Sequence, residues 1–391
     1  MLASDCAKSI DQLTDPSSSS FSAIPRYIHR NHALCIRECV QGRDSSRPEW
    51  SASKISSKHV RTKPLGKSSL LVSEMGCGAW SWGDKSGYWK NWDKSSCEQA
   101  FKTAVDTGLT FIDTAEVYGF GQSERFLGEF IKSYGPGASS PSPSPSVQVA
   151  TKYAPLPWRQ SASSVVSALD ASLERLDRKS VSLYIQHWPG FFLNAFSNQA
   201  TLEGLQMCLE SGKTEAVGVS NFNARRVREA ARYFEGKGGC LSSNQVQYSL
   251  LYREPERNGV MEACREYGVS VVAYSPLCQG MLTGKYSKDR IPEGPRGMYF
   301  KEARFAEVGV LLDLLGAVSK EIGKSPTQIS LKWLMQKDDL IVPIPGVRNA
   351  QQVEEVAGAC GDWRLSEGVM AELDAVSARI PSSTGAPFEK W

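Results

Sequence analysis

Val147-Gln-Val-Ala-Thr-Lys152 and Val181-Ser-Leu-Tyr-Ile-Gln-His187 are short apolar runs, and between them Val165, Leu169, Leu173 and Leu176 recur at intervals of four, four and three. The runs read as strands, and those intervals put all four side chains on one face of a helix. A strand, a helix and a second strand make a parallel pair with the helix packed on the sheet. The alternation repeats outward from this unit. Glu74–Gly78, Thr110–Thr114, Ala216–Ser220, Asn244–Ser249, Val269–Ser275 and Leu340–Ile344 bring the candidate strands to eight, each followed by a segment of helical spacing. A short strand pair around Leu65 and Leu70 to Val72 comes before them. Eight such units over about 330 residues, with no break in composition, fit an α/β fold of the (β/α)8 TIM-barrel type better than a doubly wound sheet. Such a barrel carries its functional residues at the carboxyl ends of the strands.

Composition bounds the rest. With 391 residues, 41% hydrophobic and 22% charged, the chain is neither fibrous nor wholly disordered. A net charge of +3 argues against an extended nucleic-acid surface. The ten cysteines form no C-x-x-C pair, which leaves zinc ribbons and thioredoxin-type motifs unsupported. The longest apolar stretch, Val308 to Val318, is interrupted by Asp313 and is too short to span a bilayer. Residues 1–60, serine-rich with scattered arginines and no sustained apolar period, read as a disordered extension. A transit peptide for a plastid would share that composition, although its acidic residues are more than such peptides usually carry; without targeting the protein would be cytoplasmic. The barrel domain then occupies 61–391. Within it, the Pro/Ser-rich stretch from Gly135 to Ser146 reads as a surface loop.

Three successive strands end in groups that can do chemistry. Phe111-Ile-Asp-Thr-Ala-Glu-Val-Tyr-Gly119 delivers Asp113 and, after a short turn, Tyr118; the next strand ends in Lys152 and the next in His187. His187 is the sole histidine outside the extension and its border, since the other three are His29, His32 and His59. Singly, each reads as well as a structural ion pair or a satisfied core residue. Together they suit proton donation to a carbonyl oxygen. A phenol of pKa near ~10 is a poor acid at neutral pH. An ammonium at Lys152, held by Asp113, is expected to lower it, and His187 to orient the carbonyl. One histidine is too few for a usual catalytic zinc site, so no metal is expected. A Schiff-base aldolase using Lys152 would leave the phosphate-shaped loops unexplained.

Those loops follow the last two strands, where barrels hold phosphates. The first, Tyr274 to Tyr286, has Gly280 and Gly284 for close backbone approach and Lys285 for charge; the second, Pro343 to Ala350, has Gly346, Arg348 and Asn349. Gly76-Cys-Gly-Ala-Trp-Ser81 lacks the third glycine of a dinucleotide fingerprint. Ser220, Asn221 and Gln245 can orient a carboxamide, and Tyr274 can stack on a heteroaromatic ring.

In Asp113-Thr-Ala-Glu-Val-Tyr-Gly119, Thr151-Lys152, Leu183-Tyr-Ile-Gln-His187, Gly218-Val-Ser-Asn221, Asn244-Gln245, Ala273-Tyr-Ser-Pro-Leu277 and Ile344-Pro-Gly346, the chain resembles the aldo-keto reductases from about Lys63 to its last helix. The resemblance implies a catalytic tetrad of Asp113, Tyr118, Lys152 and His187. It implies NADPH as cofactor, its carboxamide held by Ser220, Asn221 and Gln245 and its ring stacked on Tyr274. Ser275, Leu277 and Lys285 would serve the pyrophosphate, with Arg296 closing over it. Asp113, Trp80, Gly346, Arg348, Gln352 and Glu355 are implied as further cofactor contacts, although Gly346 and Val356 depart from the family's usual lysine and asparagine. Gly83-Asp-Lys85, Pro157-Trp-Arg159, His187-Trp-Pro-Gly190 and Gly294-Pro-Arg-Gly297 look like the plant and algal plastid branch, which includes pyridoxal reductases. The implied activity is reduction of a small carbonyl compound. Trp80, Trp82, Trp158 and Trp188 either wall its pocket or pack the rim. The alternative is a cofactor-binding regulatory subunit resembling potassium-channel β subunits.

Overall fold

The computed structural model describes residues 60–90, 92–135, 146–190 and 198–382. The expected extension, and the centre of the loop expected at Gly135 to Ser146, lie outside the described residues.

An antiparallel hairpin comes first. β1 (Thr62–Pro64) pairs with β2 (Leu71–Ser73), Thr62 opposite Ser73. Leu65 and Leu70, expected within the strands, instead form the turn between them, where Leu65 N–H donates to the Leu70 carbonyl at 2.9 Å. Eight parallel strands follow, each hydrogen-bonded to the next in chain order: β3 (Cys77–Gly78), β4 (Phe111–Asp113), β5 (Gln148–Tyr153), β6 (Val181–Gln186), β7 (Thr214–Ser220), β8 (Ser243–Gln247), β9 (Ser270–Tyr274) and β10 (Ile341–Ile344). β3 and β10 meet at a seam. Gly76 and Gly78 donate their N–H groups to the Pro343 and Pro345 carbonyls, both at 2.9 Å, and Gly78 bridges Gly346. Prolines can sit there because their carbonyls still accept.

The first strand is shorter than the expected Glu74–Gly78. Glu74 belongs to the base instead, accepting from Arg61 and from the Gly361 N–H, buried under the barrel. His187, expected to end its strand, lies one residue past β6, yet its N–H still donates to the Tyr153 carbonyl at 2.9 Å.

Helices cover the outside: α1 (Lys94–Thr107), α2 (Gln122–Tyr134), α3 (Ala162–Leu176), α4 (Asn198–Glu210), α5 (Ala224–Glu235), α6 (Glu254–Arg257), α7 (Val260–Tyr267), α8 (Glu302–Ile322), α9 (Pro326–Lys337), α10 (Ala350–Ala357) and α11 (Glu367–Ala378). Their starts follow capping chemistry. Ser161 accepts from Ser164 N–H at the head of α3, Asn223 from Arg226 N–H at α5, and Asn349 from Gln352 N–H at α10. In α3 the four expected residues Val165, Leu169, Leu173 and Leu176 are all buried. No helix among the described residues is long and apolar enough to cross a membrane.

Inside the barrel Phe111, Ala150, Leu183, Ile185, Ala216, Val272, Val342 and Ile344 pack in one cluster with Leu65, Leu70 and Val72 of the hairpin. The hairpin turn touches the strand starts, Gly66 N–H donating to Ser270 Oγ at 2.7 Å and Lys63 Nζ to the Ile341 carbonyl at 2.6 Å. It therefore stoppers the amino-terminal end, and the polar strand ends collect at the other.

Candidate active site

β4 ends in Asp113 and its neighbour β5 carries Lys152, so the ladder sets carboxylate and ammonium side by side. Lys152 is fully buried. Its Nζ donates to Asp113 Oδ2 at 2.6 Å, to the Thr114 carbonyl at 2.8 Å and to the Tyr118 hydroxyl at 3.1 Å. An ammonium has three donors, and all are used. The other Asp113 oxygen accepts from Gln245 Nε2 at 2.8 Å, which pays the cost of burying the charge.

Tyr118 is presented by a tight turn, Tyr118–Gly121, in which Gly119, Phe120 and Gly121 all have left-handed φ (56°, 57° and 82°). Gly119 cannot be replaced without movement, because a Cβ would come within 2.3 Å of the Gly83 carbonyl oxygen. Phe120 adopts that backbone with a side chain, a strained state for a bulky residue, and is 85% exposed. Glu116, two residues before this turn, is clamped by Arg159 and accepts from Ala154 N–H at 2.6 Å, which ties the approach to the turn to the end of β5. The His187 ring stands edge-on to Tyr118 at 5.7 Å between centroids, and its Nδ1 is buried without a partner among the described residues.

The electrostatics follow from this geometry. Burial alone would lower Lys152, but Asp113 and Tyr118 outweigh it and raise the ammonium above its ordinary value. His187 is held well below its usual range by burial and then by the Lys152 charge, so it is neutral at pH 7. The expectation that Lys152 would bring Tyr118 below its ordinary value is not met. Burial pushes the phenol up, with help from Asp113, by more than Lys152 pulls it down.

The other strand ends form a second cluster. Ser220 Oγ donates to the Gln245 carbonyl at 2.8 Å, Asn221 Nδ2 to the His187 carbonyl at 3.2 Å, and Tyr274 OH to Asn221 Oδ1 at 3.0 Å. Asn221 and Ser275 both have left-handed backbones (φ 59° and 49°), a departure common at ligand sites. The loop after β9 holds Leu277 and exposed Lys285, while Arg296 is buried and donates to Tyr286 OH at 2.7 Å. After β10, Gly346 is exposed, Arg348 donates to the Lys90 carbonyl at 2.7 Å, and Gln352 accepts from the Arg348 N–H at 2.9 Å. Glu355 accepts from Ser325 Oγ, so its carboxylate joins α10 to the start of α9.

The tryptophans divide. Trp80 is half-exposed, 6.4 Å from Tyr118 and stacked on Tyr88 at 5.4 Å; Trp188 lies 4.8 Å from His187. Trp82 does not wall the mouth. It is fully buried against Phe130, its Nε1 donating to the Val347 carbonyl at 2.7 Å. Trp158 is 75% exposed. Sequence reasoning passed over Tyr88 and Trp89, which the glycines at 83 and 87 could have flagged as aromatics on a turn facing the rim. It also passed over Glu124 and Arg175, whose ion pair lies beneath Tyr118–Gly121.

Known proteins share this arrangement of elements. Residues 74–378 match the aldo/keto reductase family. The chain is 36% identical over 320 residues to a chloroplastic pyridoxal reductase of Arabidopsis thaliana, covering 80% of this chain and 86% of that one. It is 31% identical over 308 residues to an NADP(+) aldo-keto reductase of Schizosaccharomyces pombe, covering 72% and 85%. Among solved structures, a thermostable aldo-keto reductase in complex with the inhibitor epalrestat superposes with a TM-score of 0.63 at 28% identity, covering 81% of this chain and 99% of that one. A match over more than three hundred residues, spanning all eight parallel strands and beginning just after the hairpin, settles the family: this chain belongs to the aldo/keto reductases.

Proposed function

We propose that the protein reduces an aldehyde or ketone to an alcohol with NADPH, Tyr118 acting as general acid. The observation that carries this is Lys152 Nζ placed between Asp113 Oδ2 and the Tyr118 hydroxyl, at 2.6 and 3.1 Å. The residues present suit the coenzyme. Lys285, Arg296 and Arg348 supply positive charge after β9 and β10, Arg296 Nε is buried with no acceptor among the described residues, and Ser220, Asn221, Gln245 and Tyr274 gather amide and aromatic groups at the strand ends.

Reduced nicotinamide supplies a hydride to the carbonyl carbon when it is bound. The chain provides the proton. As charge develops on the carbonyl oxygen, the Tyr118 hydroxyl passes its proton there, leaving a phenolate that the Lys152 ammonium stabilises; water returns the proton afterwards. Asp113 keeps Lys152 charged and pointed at the phenol. Neutral His187 can donate to or accept from the same oxygen, fixing its position.

The substrate class is a small planar aldehyde such as pyridoxal. The support is the Arabidopsis relative's name together with Trp80, Tyr118, His187 and Trp188 grouped at one rim. That relative's chloroplast assignment, with the composition of residues 1–60, supports plastid targeting. The test is NADPH oxidation followed by absorbance with pyridoxal and 4-nitrobenzaldehyde. Wild type turns over at least one of them, and Tyr118→Phe loses at least ~10²-fold in kcat while keeping its NADPH affinity. Tight NADPH binding without turnover of any aldehyde would favour the regulatory-subunit reading.

A further inference from the structure

Arg296 and Arg348 meet on one indole. The Arg296 Cζ lies 4.9 Å from the Trp89 ring centroid and the Arg348 Cζ 5.5 Å from it. Among the described residues neither guanidinium has a carboxylate within ion-pair distance; their hydrogen bonds run to the Tyr286 hydroxyl and the Lys90 carbonyl. Burial and the Arg296 charge both hold Arg348 below its ordinary value, a sign of like charges crowded together. Trp89 Nε1 and Arg296 Nε are buried and have no acceptor among the described residues, and Arg296 as a whole is only 8% exposed. Native interiors rarely leave donors in that condition.

The segment around Trp89 is built to hold it there. Asp84 accepts from the Trp89 N–H at 2.7 Å and from the Ser86 N–H at 2.9 Å, which fixes the turn. Tyr88 donates to Gln279 Oε1 at 2.5 Å, joining this turn to the loop after β9. Gly294 has a left-handed φ of 76°, and a Cβ on it would come within 3.2 Å of Lys90 Cε. Simple aromatic packing would explain the ring contacts. It leaves two repelling cations and two unused donors without a reason.

We propose that Trp89 binds a phosphate oxyanion of the coenzyme, donating its indole N–H beside Arg296 Nε while its ring spaces the two guanidiniums. This rests on the NADPH reading above and adds a residue to it. An indole N–H is a donor only, and guanidinium forks match phosphate oxygens, so the set selects an anion over a neutral group. Both the pyrophosphate and the ribose 2′-phosphate have this chemistry.

Isothermal titration of the full chain with NADPH and with NADH tests it, using wild type, Trp89→Phe and Trp89→Leu. Trp89→Leu should weaken NADPH binding by about tenfold or more, and Trp89→Phe, which keeps a ring and loses the donor, by about three- to fivefold. A loss confined to NADPH assigns the 2′-phosphate, and a loss shared with NADH assigns the pyrophosphate; either supports the proposal. Melting temperatures of the free variants check folding, and Trp89→Phe stands as the conservative arm if Trp89→Leu does not fold. Affinities within twofold of wild type in the folded variants for both coenzymes would overturn it. Wild type failing to bind NADPH would instead overturn the reading on which it rests.

Discussion

Tyr118 and His187 face each other edge-on, and burial moves them apart in pH: the phenol goes above its ordinary value and the imidazole well below. Burial disfavours whichever form is charged, phenolate in one case and imidazolium in the other. At pH 7 both are therefore neutral, next to a charged lysine. Carbonyl reduction needs the protonated phenol, so kcat/KM for the aldehyde should stay level from about pH 6.5 to 9 and fall only as the phenol ionises at higher pH. His187 should add no step near pH 6.5. A rate profile with an inflection between pH 6 and 7 that vanishes in His187→Asn would contradict this assignment. Asp113, Lys152 and His187 were legible as strand-end residues because each closes a largely apolar run, and Tyr118 as the aromatic in the turn after Asp113. The sign of the tyrosine shift was not, since it depends on how much water the folded mouth removes, and spacing along a chain carries no such information.

At the scale of elements, the turn bearing Tyr118 is supported from below by a buried ion pair. Arg175 of α3 donates to Glu124 of α2 at 2.5 Å, Thr151 of β5 donates to the other oxygen of that carboxylate at 2.5 Å, and Arg175 also gives a hydrogen bond to Ser172. Gly121, at the end of the turn, sits against the Arg175 side chain, where a Cβ would lie 2.8 Å from Cδ. Glu124 is fully buried, so removing its partner strands a charge. Arg175→Met should destabilise the protein by roughly 3–5 kcal/mol, read as a lower urea midpoint, and Glu124→Leu in the same chain should recover part of that loss. A single variant as stable as wild type would mean the pair contributes nothing to holding the turn. Helix faces such as Val165 to Leu176 were legible because apolar period alone specifies them. This pair was not, because its members lie 51 residues apart on helices whose mutual packing no local pattern encodes.

For the whole molecule, eightfold alternation was enough to name the barrel, since so few architectures bury eight parallel strands. Strand limits were less legible. Glu74 was drawn into the first strand by its neighbours, whereas in the fold its charge is consumed at the base by Arg61 and Gly361. The 1–60 segment is proposed to act apart from the barrel, as an address. Fused ahead of a fluorescent protein it should direct the fusion into plastids, and a fusion left in the cytosol would remove the targeting reading. The hairpin, at the end of the barrel away from Tyr118, has a different bearing on turnover. Leu65, Leu70 and Val72 close the base of an interior already filled by side chains, which leaves the barrel one mouth. Substrate, product and the water that recharges the phenol must all share a single port, so a bulky alcohol slow to depart would also delay the return of the proton behind it.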